Sequence, residues 1–97
     1  MRSMMEIQGI MRRLYFHRDS RRGANETFSW LKEEINELGE AMDGADKKAL
    51  NSEFADVVAW LASLANLLEI DLGRAVFEKY PNQCPKCRLS PCGCPFR

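Results

Sequence analysis

Two short segments of the sequence each carry a pair of carboxylates three residues apart. The first pair is Glu34 and Glu37, and the second is Glu53 and Asp56. On a helix, this spacing places both acids of a pair on one side, about one turn apart. Like charges so placed destabilise a helix slightly, and a divalent cation between them would remove that repulsion. The spacing therefore indicates a metal site.

The apolar residues around the acids predict that the two pairs meet. Each segment has an apolar stripe at helical spacing, formed by Phe28, Leu31, Ile35, Leu38 and Met42 in the first and by Leu50, Phe54, Val57, Leu61, Leu64 and Leu68 in the second. In both segments the acids lie about 70° and about 130° from the centre of the stripe, in the same rotational sense. An antiparallel hairpin of the two helices therefore brings all four carboxylates to one flank, whereas Glu33 and Glu40 turn outward to solvent.

Four carboxylates are hard oxygen ligands, which favour Mg²⁺ or Mn²⁺ and commonly share the ion with a substrate phosphate. This combination predicts attack of water on a phosphoryl group, with one carboxylate accepting the proton of the water. Di-iron bundles also use helical acids, but they require Glu-x-x-His pairs. The single histidine, His17, is near neither acid pair.

The whole chain suits one small domain. It has 97 residues and a formal net charge of zero, which argues against recruitment of nucleic acid or a membrane by a global field. No apolar run approaches the length of a membrane span. The first residues lack the continuous apolar core of a signal peptide, so we expect a cytoplasmic protein.

The periodicity predicts an all-α fold with four helices and no strand. The expected helices run from Met4 to about Arg18, from a cap at Asn25 or Thr27 to about Met42, from Asp46 (or a later cap at Asn51 or Ser52) to about Glu69, and from a cap at Asp71 to Pro81. Asp43 and Gly44 are expected to end the second helix. The third helix is rich in alanine, which indicates a central helix or one that meets a second subunit.

Several other side chains have both a structural and a functional interpretation. Residues 19–25 form a polar, basic stretch in which Arg21 and Arg22 either decorate a solvated loop or contact phosphate oxygens. Trp30 and Trp60 lie on the acid flank and either stack on a nucleobase or cover a core edge or interface. Lys79 either complements a helix C-terminus or contacts a phosphate.

The last seventeen residues differ in character from the rest. All four cysteines lie here, as C-x-x-C followed by C-x-C, at Cys84, Cys87, Cys92 and Cys94. Crowded thiolates among Pro and Gly turns suit tetrahedral zinc, and disulfides or free thiols are the alternative. We expect residues 1–80 to form the domain and residues 81–97 a tail that locks down the C-terminus.

Three stretches together carry a resemblance to a known family. They are F-S-W-L-K-E-E-I-N-E-L-G-E-A at 28–41, E-F-A-D-V-V-A-W-L at 53–61, and I-D-L-G-R-A-V at 70–76 with Lys79 and Tyr80. They resemble the MazG-like nucleotide pyrophosphohydrolases, whose mark is E-E-x-x-E, a spacer and E-x-x-D on an all-α fold. The resemblance covers roughly residues 8 to 80.

The resemblance implies magnesium-dependent hydrolysis of a nucleoside triphosphate to the monophosphate and pyrophosphate, with water attacking the α-phosphorus. It also implies a homodimer or homotetramer. The implied metal ligands are Glu34, Glu37, Glu53 and Asp56, and the implied substrate contacts are Trp60 near the base and Lys79 near the phosphates. Arg21 and Arg22 occupy the place where larger members carry a C-P-W-D segment.

Two other functional classes are alternatives to the hydrolase. One is a non-enzymatic, zinc-tailed helical interaction module whose acids are merely solvated. The other is a nucleic-acid binder that uses the basic stretch and the tail, which predicts salt-sensitive binding and which the zero net charge argues against. Magnesium-dependent release of pyrophosphate from mixed deoxynucleoside triphosphates separates the enzyme from both.

Overall fold

The computed structural model describes residues 3–44 and 46–96. It contains four helices, which are α1 (Met4–Arg22), α2 (Ala24–Asp43), α3 (Lys47–Leu67) and α4 (Leu72–Lys79). Within those residues there is no strand, so the predicted all-α fold of four helices is confirmed. None of the helices described combines the length and the apolar character that a membrane crossing requires.

Side chains with the expected capping chemistry begin three of the helices. Ser3 and Glu6 form a reciprocal capping box at the start of α1. Asp46 accepts a hydrogen bond from the Lys48 amide at the start of α3, and Asp71 accepts one from the Arg74 amide at the start of α4. Both aspartate caps were predicted and are confirmed.

The prediction of a basic loop over residues 19–25 is wrong. Helix α1 continues through Arg22, and Gly23 alone separates it from α2. Gly23 has φ 86°, in the region that favours glycine, and serves both as C-cap of α1 and as N-cap of α2 in place of Asn25 or Thr27. The basic residues resemble a loop in composition, but cations in a last helical turn are stabilised by the exposed carbonyls there.

Helix α3 ends two residues before the predicted Glu69. The Ile70 amide donates to the Ala65 carbonyl at 2.9 Å, and the Glu69 amide donates to the Asn66 carbonyl at 3.4 Å. Glu69 itself has φ 57°. These two hydrogen bonds around a residue in the left-handed conformation form the Schellman motif, which here ends the helix without a glycine.

Helix α3 lies at the centre of the bundle. It packs on α2 and on α1, and α4 packs on α1. Ala62 and Ala65 of α3 are buried together with Leu31 of α2. Small side chains on α3 let both neighbouring helices approach closely, as its alanine-rich sequence predicts.

The outer half of each predicted apolar stripe is not covered by the chain itself. The exposed members recur every seven residues and form one row on α2 (Phe28, Ile35 and Met42) and one along α3 and its C-cap (Phe54, Leu61 and Leu68). Phe54 keeps 54% of its surface exposed and Ile35 keeps 48%. The stripes are wider than a contact between two helices, so these rows need another layer to cover them.

Candidate active site

The antiparallel pairing of α2 and α3 brings three predicted acids together. Carboxylate oxygens of Glu34, Glu37 and Glu53 all lie within 4.8 Å of one another. Glu34 and Glu53 are half-buried, and Glu37 is exposed. We call these three residues the acid cluster.

The acid cluster holds more negative charge than its surroundings stabilise. Burial, a hydrogen bond with the Glu37 side chain and the charges of Glu37, Asp56 and Glu53 together raise the pKa of Glu34 to about 7. Burial and the charges of Glu37, Asp56 and Glu40 raise the pKa of Glu53. The Oε2 atom of Glu53 is also buried with no hydrogen-bond partner among the residues described. A cation at this point would relieve both the repulsion and the unpaired oxygen.

The remaining acids take different positions around the cluster. Asp56 is exposed and lies outside the tight group, yet its charge acts on both Glu34 and Glu53. Glu40 was predicted to turn away from the site, but its charge also acts on Glu53. Glu33 lines a separate shallow depression on α2. Asp56 is therefore the fourth acid at the edge of the site, and Glu33 faces elsewhere.

Asp56 also borders a cavity of about 290 Å³ between α1 and α3. The cavity has a basic wall on α1, contributed by Arg18 and Arg22, and an acidic edge on α3. Its full lining is Tyr15, Arg18, Asp19, Arg22, Asp56, Ala59, Trp60 and Ser63. An elongated anion with a bound cation fits this distribution of charge.

Sequence reasoning missed the three residues that α1 contributes to the cavity besides Arg22, namely Tyr15, Arg18 and Asp19. Together with Arg22 they recur at the spacing of one helical face. This spacing is present in the sequence, but a first helix that ends at Arg18 does not include Asp19 and Arg22. Extending the helix by one turn would have placed all four side chains on the same surface.

Arg22 is fixed by contacts with three elements. Its Nη1 donates to Asp19 Oδ1 at 2.9 Å and to Thr27 Oγ1 at 3.2 Å. Its guanidinium carbon lies 4.8 Å from the centroid of the Trp60 ring. Asp19 and Thr27 are buried, so Arg22 balances a carboxylate that solvent does not reach.

The two tryptophans, Trp30 of α2 and Trp60 of α3, stack on each other. Their ring centroids are 6.1 Å apart and their planes are inclined by 24°. Trp60 is half-buried, and Trp30 is exposed. The two side chains therefore meet between α2 and α3, and the outer surface of Trp30 is open to solvent.

Two predicted phosphate contacts, Arg21 and Lys79, have different surroundings. Arg21 is exposed in the last turn of α1. Lys79 ends α4, and its ammonium lies 5.8 Å from the centroid of the Tyr80 ring. Neither forms an ion pair with an acid of the cluster in the part of the chain that the structure describes.

The fold and the acid cluster define an all-α protein with a carboxylate site suited to a divalent cation. The family model of the MazG nucleotide pyrophosphohydrolase domain matches residues 22–88, well over half of the chain. The chain therefore belongs to the MazG family, and the resemblance drawn from its motifs is confirmed. Membership indicates nucleotide pyrophosphohydrolase activity in general terms. The matched range includes all four acids, both tryptophans and the first two cysteines. A comparison with curated proteins found no match.

Proposed function

We propose that this protein hydrolyses nucleoside triphosphates to nucleoside monophosphates and pyrophosphate with the help of Mg²⁺. The observation that carries the proposal is the close approach of Glu34, Glu37 and Glu53 within a MazG domain. Isolated glutamates on helices are usually solvated, whereas these three crowd together at a partly buried point. Membership of the family supplies the substrate class.

The residues present fit a hard divalent cation. The donors are carboxylate oxygens, the buried Glu53 Oε2 has no hydrogen-bond partner among the described residues, and the pKa of Glu34 is raised to about 7 by burial and its neighbours. Glu34, Glu37, Glu53 and Asp56 would hold Mg²⁺, or Mn²⁺ in its place. When bound, the ion supplies neutralisation of the triphosphate charge and polarisation of its phosphoryl oxygens.

The chain's own residues position the substrate and accept a proton. A carboxylate of the acid cluster takes a proton from the attacking water, whose oxygen bonds to the α-phosphorus. The bond from the α-phosphorus to the bridging oxygen breaks, and pyrophosphate leaves with the electron pair. The basic wall formed by Arg18 and Arg22 binds phosphate oxygens on the opposite side of the cavity. Trp30, Trp60, Arg21 and Lys79 remain proposed substrate contacts.

The proposal is tested with a panel of nucleotides assayed for pyrophosphate with and without Mg²⁺. Glu37→Gln should lower kcat by at least about a hundredfold, because it removes an oxygen ligand and a charge from the cluster. Glu26→Gln, which makes the same change on the same helix away from the cluster, should leave activity unchanged. Reaction in ¹⁸O-labelled water should place the label in the monophosphate, and label in pyrophosphate would exclude attack at the α-phosphorus.

The alternative of an interaction module makes the opposite prediction. A folded protein that releases no pyrophosphate from any nucleotide, with or without Mg²⁺ or Mn²⁺, would overturn the enzyme. Equal activity of wild type and Glu37→Gln would overturn the assignment of the site.

We also propose that a second copy of the chain covers the exposed apolar rows of α2 and α3. Each row repeats every seven residues, which is the spacing that packs one helix against another along its length. Two copies related by a two-fold axis would join four helices around one core. A homodimer, or a homotetramer built from it, therefore accounts for the large apolar surface that one chain leaves uncovered.

A further inference from the structure

The segment that follows α4 gathers all four cysteines of the chain. Among the residues described, 80–96 contain no helix or strand, yet the four Sγ atoms lie within 4.8 Å of one another. The Sγ atoms of Cys84 and Cys94 are 3.8 Å apart, and those of Cys87 and Cys92 are 3.9 Å apart. All four thiols are free, since a disulfide would bring two sulfurs to about 2.05 Å.

These distances are those expected of four ligands around one ion. A tetrahedral site with Zn–S bonds of about 2.3 Å separates neighbouring sulfurs by about 3.8 Å. Four thiolate ligands fill a tetrahedral coordination sphere and leave no open position, which is typical of a structural zinc site. Thiolates are soft ligands that select zinc rather than Mg²⁺, so this group and the acid cluster would take different metals.

The backbone around the cysteines supports thiolates. The Gly93 amide donates to Cys87 Sγ at 3.3 Å, and the Cys94 amide donates to Cys92 Sγ at 3.3 Å. Such N–H···S bonds stabilise negative charge on sulfur and fix the orientation of a metal ligand.

A tight turn closes the first half of the group. The Arg88 amide donates to the Cys84 carbonyl at 2.8 Å, and the Cys84 amide donates to the Leu89 carbonyl at 3.0 Å. Arg88 adopts φ 63°, a left-handed position within that turn. At Gly93 an added Cβ would lie 2.7 Å from Leu89 Cδ1, so the second half of the group packs directly on this turn. The turn and the contact at Gly93 thus gather the four sulfurs around one point.

We propose that Cys84, Cys87, Cys92 and Cys94 bind one Zn²⁺ in a tetrahedral site that folds the C-terminal segment into a small knuckle beyond α4. The site is structural and separate from the acid cluster. Residues 81–97 then form a distinct unit, appended to the helical domain of residues 1–80. Each thiol that binds the ion gives up its proton. The knuckle forms only in a reducing environment, because disulfides would otherwise compete for the same thiols.

The first test is the metal content of the full chain, purified with reductant and without chelator. We expect one zinc per chain by elemental analysis, and replacement by Co²⁺ should give the visible bands and the sulfur-to-cobalt charge-transfer absorption of a tetrahedral thiolate site. Cys92→Ser should lower the zinc content and alter the cobalt spectrum, whereas Ser90→Ala should change neither. Iron in place of zinc, or a mass lowered by four thiol hydrogens with no metal present, would overturn the proposal.

A second test reads out the folding of the knuckle. Lys86 and Arg88 are exposed; Lys86 lies between the first and second cysteines, and Arg88 lies between the second and third. Trypsin should cut after these residues quickly in chelator-treated protein and slowly when zinc is restored. Equal rates with and without zinc would exclude a folding role. Neither test uses a nucleotide, so failure here leaves the proposed hydrolase activity untouched, and loss of that activity leaves the zinc site untouched.

Discussion

Gln8 of α1 and Asn66 of α3 bond to each other in both directions. Gln8 Nε2 donates to Asn66 Oδ1 at 3.2 Å, and Asn66 Nδ2 donates to the backbone carbonyl of Gln8 at 3.1 Å. Gln8 Nε2 also donates to the Ile70 carbonyl at 2.9 Å, and its Oε1 accepts from the Leu72 amide at 2.7 Å. One buried side chain therefore connects α1, the end of α3 and the start of α4.

We predict that Gln8→Ala lowers the free energy of unfolding by about 2–4 kcal/mol, because it removes several hydrogen bonds and leaves buried partners unpaired. Urea denaturation followed by circular dichroism measures the change. Gln83→Ala is the matched control, since Gln83 is exposed in the tail and its loss should cost less than about 0.5 kcal/mol. A small effect of Gln8→Ala would show that the network contributes little.

The raised pKa of Glu34 predicts an unusual dependence of stability on pH in the metal-free protein. The pKa is about 7 in the folded chain against an ordinary value of 4.5, with burial as the largest cause. Between these values the folded state binds more protons than the unfolded state, so the free energy of unfolding falls as pH rises. The contribution of Glu34 to the free energy of unfolding is complete below pH 4.5 and is lost as the pH rises through 7.

Denaturant titrations with chelator at about pH 5 and about pH 8 should therefore show the lower midpoint at the higher pH. Glu34→Gln should flatten this dependence, although Glu53, whose pKa is also raised, preserves part of it. Mg²⁺ should raise the midpoint more at the higher pH, because it binds the ionised acids. An identical pH dependence in wild type and Glu34→Gln would contradict the assignment.

The two arginines of the basic wall should differ in what they contribute, because Arg18 is placed only for substrate binding and Arg22 also stabilises the fold. Arg18 lines the cavity but is exposed, whereas Arg22 is bonded to buried Asp19. Arg18→Ala should raise KM about tenfold, by loss of a phosphate contact, with little change in the urea midpoint. Arg13→Ala, an exposed arginine on the same helix, should change neither quantity. An unchanged KM for Arg18→Ala would remove the basic wall from the substrate site.

Arg22→Ala should behave differently, because it leaves the Asp19 carboxylate buried without its cation. We expect it to lower the free energy of unfolding by about 2–4 kcal/mol in addition to any effect on KM. Thermal and urea unfolding of the two arginine variants under the same conditions make the comparison direct.

The exposed apolar rows predict that the protein self-associates. Sedimentation analysis should show a dimer or tetramer, and Phe54→Asp should shift it toward the monomer because the new charge would be buried in the interface. Phe96→Asp is the control, since Phe96 is fully exposed in the tail and belongs to neither row. A wild-type monomer at high concentration would contradict the proposed assembly.

Much of the helical architecture could be predicted because the sequence marks it locally. Asp46 and Asp71 are strong caps, and apolar spacing defined both helices that carry the acids. The spacing of Glu34 and Glu37 also predicted their meeting with Glu53. The end of α1 could not be predicted from composition, because its last turn is polar and basic and looks like a loop.

Other features depended on contacts that no local pattern records. The role of Gln8 arises from three elements distant in sequence, and an isolated glutamine carries no signal of burial. The exposure of Phe54 also could not be read from its stripe, since an apolar position on a helix is the same in sequence whether its own chain or a second copy covers it.

The junction at Gly23 restricts which changes of chain length the proposed site can accept. With one residue between α1 and α2, the angular setting of Arg18 and Arg22 relative to the acids is fixed by the chain itself, and each additional residue would allow α1 to turn by about 100°. Exchanging side chains along α1 would leave this angle unchanged. Lengthening the joint would instead misalign the basic wall and the acids of the proposed site.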